Sequence, residues 1–159
     1  MLDVPDALLR ERLHACLAVP RWVTDVASRA PFESLDSLVA VARAEATPLA
    51  PEEIAQAMSH HPRIGDRPSG AAVSNALSRD EQGEATELAA ELAAGNAAYE
   101  ARFGRIFIIR AAGRTRTEIL TELERRLALD DATDLVIVGE QLRDIALLRI
   151  EKLFGEEAA

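Results

Sequence analysis

The sequence predicts an all-α fold, a single-domain helical bundle of about six to eight helices over residues 1–159. Three observations lead there. Hydrophobic residues make up 48% of the chain but aromatic ones only 4%, so the core is built from Leu, Ile, Val and Ala, a mix that suits helices. Apolar residues recur at intervals of three and four along nearly every segment. Helix starts recur as well, as proline followed by acids or as Ser/Thr followed three residues later by Glu.

The first helix opens at Pro5, with Asp3 or Val4 just outside it, and carries Leu8, Leu9, Leu13 and Cys16 on one face. Pro20 starts a short second helix with Trp22, Val23 and Val26; Ala30-Pro31 ends it, because the residue before a proline avoids the helical region. Ser34 opens a third, with Leu35, Leu38, Val39 and Ala42. Pro51-Glu52-Glu53 places a proline and two acids at the positive end of a fourth helix dipole, and Ile54, Ala57 and Met58 form its inner face. From His61 to Leu77 the periodicity is lost and turn residues collect: Pro62, Gly65, Pro68, Ser69 and Gly70. A long irregular stretch inside a small domain tends to be functional.

Ser78-Arg79-Asp80-Glu81 has the capping-box form and opens a long Ala-rich helix to about Arg102, ended by Phe103-Gly104. Ile106-Phe107-Ile108-Ile109 is an extended run or a single strand, and Gly113-Arg114 turns the chain. Thr115-Arg116-Thr117-Glu118 is a second capping box, followed by Ile119, Leu120, Leu123 and Leu127. Asp130 to Thr133 is a polar break, and the last helix runs from about Asp134 to Phe154.

A formal net charge of -9 disfavours nucleic acid and anionic membranes as partners. Cys16 is the only cysteine, so an internal disulfide is excluded and a reducing cytoplasm is the expected location. No N-terminal apolar region precedes a cleavage site, no apolar run is long enough to span a bilayer, and the tail FGEEAA is not a peroxisomal address. Walker, Rossmann and nucleophile-elbow patterns are absent, and Lys152 has no setting that suggests a Schiff base. No metal site is expected: His60 and His61 are adjacent and diverge, and no cysteine or further histidine has ligand spacing.

Three places could carry chemistry. His61, held out of the helical region by Pro62, offers an imidazole that titrates near neutrality; the plainer alternative is a solvated loop histidine. Ser78, Glu81 and Gln82 lie at a helix start whose free N–H groups can bind an anion, and the same geometry serves as an ordinary cap. Arg149 falls inside the apolar stripe Leu135, Val138, Leu142, Ile145, Ala146, Ile150 and Leu153, where it snorkels out, pairs with an acid, or points into a polar pocket.

At these residues the sequence resembles the 2-oxo-4-hydroxy-4-carboxy-5-ureidoimidazoline (OHCU) decarboxylases. The resemblance is carried by His61-Pro62-Arg63-Ile64-Gly65, Ser78-Arg79-Asp80-Glu81-Gln82, Asn96-Ala97-Ala98-Tyr99, Arg102-Phe103-Gly104, Phe107-Ile108-Ile109, Gly113-Arg114, Ile119-Leu120, Arg126-Leu127 and the run Gln141 to Arg149. Near the start, Cys16, Trp22 and Arg29-Ala30-Pro31-Phe32 also fit, so the likeness covers nearly the whole chain in order. It departs at Arg105-Ile106, where the family usually has Phe-Pro, at Leu77, where an aromatic is common, and at Leu129, where an Asn is common.

The resemblance implies an all-helical decarboxylase of urate degradation that needs no cofactor and makes allantoin. It implies that His61 handles the proton with help from Glu81. It also implies that Pro62, Ser78, Arg79, Asp80, Gln82, Phe107, Ile108, Ile109, Arg110, Ala111 and Arg149 line the site of a small anionic ureidoimidazoline. A homodimer is compatible with this reading. The alternative is a helical binding or scaffold domain that kept the fold and lost the chemistry.

Overall fold

A computed structural model describes residues 1–60 and 88–158. Among the described residues seven helices form: α1 (Asp6–Cys16), α2 (Pro20–Ala27), α3 (Leu35–Glu45), α4 (Pro51–Met58), α5 (Ala89–Phe103), α6 (Arg116–Leu127) and α7 (Asp131–Ala158). The only β pairing among them is a one-residue antiparallel bridge in which the Leu2 N–H donates to the Phe32 carbonyl at 2.9 Å. The fold is all-α, as the periodicity requires.

The helix starts follow the local signals. Ser34 Oγ accepts the Ser37 N–H and Ser37 Oγ accepts the Ser34 N–H, each at 3.1 Å. Thr115 Oγ1 accepts the Glu118 N–H at 3.0 Å, and the Glu118 carboxylate returns the bond to the Thr115 N–H at 2.8 Å. These reciprocal bonds satisfy N–H groups that a helix start leaves without partners. Gly104 ends α5 at φ +71°, a left-handed conformation that glycine adopts without steric cost, with its N–H bonded to the Glu100 carbonyl.

Two expectations need correction. The residues Asp130 to Thr133 are the start of α7 and not a break before it: Asp130 Oδ1 accepts the Thr133 N–H at 2.7 Å. That bond holds the Asp130 carboxyl below its ordinary pKa. The Ala-rich helix does not run unbroken to Arg102, because Leu88 sits at φ 59°, ψ 24°, a left-handed conformation that an α-helix cannot pass through. Of the two forms expected for residues 106–109, the extended run is the one found; it pairs with no strand among the described residues.

α7 is the common support. It packs on α1, α3 and α4, while α2 packs on α1 and α3. Leu13, Trp22, Leu38, Leu142, Ile150 and Phe154 are fully buried in this main cluster. Each such side chain contributes about 1.5–3 kcal/mol through burial. The Trp22 indole N–H donates to the Ala42 carbonyl at 3.0 Å, so its one polar group is paired. α5 packs on α6 and forms a second cluster with Leu92, Tyr99, Phe107, Ile109, Ile119 and Leu123.

The α5–α6 contact depends on Gly95, where an added Cβ would stand 2.4 Å from Leu123 Cδ2. Leu123 is fully buried and cannot swing into solvent. Gly95→Ala gains about 1 kcal/mol of helix propensity, but overpacking a core costs about 1–3 kcal/mol. The expected result is a lower melting temperature; a clear rise would contradict this packing.

Candidate active site

After Gly104 the chain runs extended along the bundle, and Phe107, Ile108, Ile109 and Ala111 are buried. Their side chains alternate as extended backbone requires. Phe107, Ile109 and Ala111 enter the α5–α6 cluster, and Ile108 enters the main cluster. Side chains take the place of a neighbouring strand. Arg126 Nη1 donates to the Ile108 carbonyl, the Arg110 N–H donates to Gln141 Oε1 at 2.9 Å, and Arg114 Nε donates to the Arg110 carbonyl at 2.9 Å. The five residues Phe107 to Ala111 therefore form one wall, fixed from α6, α7 and the following turn.

Beneath the wall lies an ionic network. Asp134, in the first turn of α7, is 0% exposed, as is Arg126. Arg126 Nε donates to Asp134 Oδ1 at 2.7 Å, Arg105 Nη2 donates to Asp134 Oδ2 at 2.7 Å, and the Tyr99 hydroxyl also donates to Asp134 Oδ2. Arg105 reaches Asp131 as well, at 2.8 Å. The Arg126 guanidinium lies 4.7 Å from the centre of the Phe107 ring.

Burial alone would raise the Asp134 pKa, but the hydrogen bonds from Arg126, Tyr99 and Arg105 outweigh it and hold the carboxyl below its ordinary value. Burial, with the adjoining Asp134, pushes the Tyr99 hydroxyl up to about 12. For Arg105, burial works against the charge, yet the bonds to Asp134 and Asp131 keep its pKa above the ordinary value.

Arg149 is 2% exposed, so the snorkelling alternative is excluded. Its Nη1 donates to the Ala15 carbonyl at 3.5 Å, at the C-terminal end of α1, where the helix dipole favours a cation. Ala15 follows His14, whose ring meets that of His60 edge to face with centroids 5.6 Å apart. The chain at His60 thus returns to the end of α1 that Arg149 also reaches. His61, Pro62, Ser78, Arg79, Asp80, Glu81 and Gln82 lie outside the described residues.

Two cavities lie elsewhere. One, of about 280 Å³, is bounded by Pro48, Leu49, Ile54, Leu135, Val136 and Gly139. The other, of about 290 Å³, is bounded by Leu2, Val4, Leu9, Phe32, Leu38 and Phe154. Their linings contain none of the candidate site residues. Among the described residues no group of three or more His, Cys, Asp or Glu could hold a metal ion.

Sequence reasoning missed the network of Tyr99, Arg105, Arg126 and Asp134, and the role of Gln141. One signal was available: Arg126 continues the apolar stripe of Ile119 and Leu123, as Arg149 does in the last helix.

The model of the OHCU decarboxylase family matches residues 3–151. A curated relative, the uric acid degradation bifunctional protein TTL of Arabidopsis thaliana, is 36% identical over 110 residues, which cover 65% of this chain and 34% of the relative. The chain therefore spans about a third of that relative's length. A crystal structure of OHCU decarboxylase in the presence of (S)-allantoin superposes with a TM-score of 0.75 at 27% identity, covering 96% of this chain and 99% of that one. A crystal structure of (S)-allantoin synthase superposes with a TM-score of 0.64 at 17% identity, covering 95% of this chain and 51% of that one; at this identity the likeness is one of fold.

The network generates a prediction. Asp134→Asn leaves Arg126 buried without its counter-charge and should cost about 3–5 kcal/mol. The pH dependence has two limbs. Asp134 has a depressed folded pKa, so its contribution is complete above its ordinary value and is lost as pH falls below about 4. Tyr99 has a raised one, so its contribution is complete below about pH 10 and is lost as pH rises towards about 12. Melting temperatures across pH should show the alkaline limb in the parent protein and not in Tyr99→Phe; an identical limb in both would contradict the assignment.

Proposed function

Because the chain belongs to the OHCU decarboxylase family, we propose that it is a carboxy-lyase that converts 2-oxo-4-hydroxy-4-carboxy-5-ureidoimidazoline to (S)-allantoin and CO2 in urate degradation, without a cofactor. The observation that carries the reading is the span of the match: residues 3–151 include every candidate site residue from His61 to Arg149. The position of Arg149 supports it: the buried guanidinium reaches the end of α1 that the chain also approaches at His60, the residue before His61.

The substrate carries its own electron sink. The leaving carboxylate is on a carbon that also bears a hydroxyl and lies next to a ring C=N bond. As the C–C bond to CO2 breaks, its electron pair stays on the ring and is relayed to the imine nitrogen. A proton then arrives on the ureido-bearing carbon, the hydroxyl proton passes to the ring nitrogen that took up the electron pair, and a ketone remains. The work left to the protein is to hold an anion and deliver one proton from one face.

In this reading Arg149 and the N–H groups at the Ser78 helix start hold the anionic and carbonyl groups. His61 relays the proton, and Glu81 orients and polarises it. Pro62, Arg79, Asp80, Gln82 and the wall from Phe107 to Ala111 shape the pocket. Delivery from one fixed side yields a single enantiomer. The net charge of -9 opposes long-range capture of an anion, so nearby arginines must dominate. The reading places the protein in the cytoplasm with a small anion as its partner; no described helix is long and apolar enough to cross a membrane.

Steady-state rates and melting curves on the same preparations test these roles. His61→Asn should lose roughly 10²–10⁴-fold in rate with little change in melting temperature. Glu81→Gln, which can still cap a helix, should keep its melting temperature within a few degrees, lose about tenfold or more in turnover, and shift the pH–rate profile. Arg149→Lys keeps the charge but loses the planar fork, and should raise KM by about tenfold. Near-normal turnover in His61→Asn would contradict the proton relay, and stability lost with unchanged turnover in Glu81→Gln would leave Glu81 a cap.

A further inference from the structure

An extended segment in a helical protein must pair its N–H and C=O groups without a sheet. In the wall from Phe107 to Ala111 three side chains do this, and they differ in what else they hold. Arg126 is shared with the buried Asp134, so its loss disturbs the core. Arg114 reaches back four residues within its own turn. Gln141 is half-buried on α7, and through its Oε1 it joins the wall to the helix that carries Arg149. Residues 141 and 149 are separated along that helix by about 12 Å at 1.5 Å per residue.

We propose that Gln141 is a positioning residue for the substrate site: by accepting the Arg110 N–H it fixes the wall at its distance from α7, and with it the width of the pocket between wall and Arg149. The inference rests on the reading that residues Phe107 to Ala111 line the substrate site. A misplacement on the order of 1 Å can cost on the order of 10²-fold in rate, so a side chain that touches no reacting atom can matter this way.

The test uses Gln141→Met, which keeps the length and removes the acceptor oxygen, and Gln141→Glu, which keeps an acceptor at the same reach. In Met, KM should rise about tenfold while the melting temperature stays within a few degrees and the pH profile of kcat is unchanged, because His61 and Glu81 are intact. In Glu, KM should return to within about threefold of the parent value. A folded Met variant with parental KM, an equal loss in both variants, or a Met variant that does not fold would each overturn the proposal. His61→Asn run alongside separates the two readings. An active His61→Asn overturns the site reading and this inference with it. An inactive His61→Asn beside an unchanged Gln141→Met overturns only this inference.

Discussion

The described structure depends most on the carboxylate of Asp134. A charge with no exposed surface must be paired, and three elements supply the partners: Tyr99 from α5, Arg105 from the segment after it, and Arg126 from α6. The pairing fixes more than the ions. The guanidinium that neutralises Asp134 also holds the Ile108 carbonyl and lies over the Phe107 ring. The wall is therefore set by the ion pair, and the smaller α5–α6 cluster is joined to the main one at this point. The Arg105-Ile106 departure from the family pattern finds its account here. Arg105 is committed to Asp131 and Asp134, and Ile106 packs against the main cluster.

α7 carries this arrangement into the candidate site. Asp134, Gln141 and Arg149 follow one another along it at seven and eight residues, about 1.9 and 2.2 helical turns. One rigid element thus bears the anchor of the network, the acceptor that holds the wall, and the guanidinium proposed to bind the substrate. A substrate that supplies its own electron sink asks for little else: a fixed anion site, a shaped wall and one proton donor.

Much of the fold was legible because its signals are local. Ser34 and Thr115 open helices through bonds to residues three positions on, and Pro20 and Pro51 start helices where proline is tolerated. Arg149 stood out because an apolar stripe makes a charge conspicuous. What escaped was non-local or ambiguous. The residues from Asp130 to Thr133 looked like a break because acids suit breaks and first turns equally. Leu88 has no sequence mark of its left-handed backbone. The run at residues 106–109 was legible as extended, because β-branched residues favour that backbone, but the side chains that pair with it were not. The contact of Arg126 with Asp134 spans two helices and became visible only in three dimensions.

The central claim is that this chain decarboxylates OHCU. The most direct measurement generates that unstable compound in place from urate and follows its ultraviolet decay, together with the circular dichroism of the product, with and without the protein. The account predicts that catalytic amounts of the protein accelerate the decay and that the product is (S)-allantoin. Decay at the spontaneous rate, yielding racemic allantoin at every protein concentration, would contradict it.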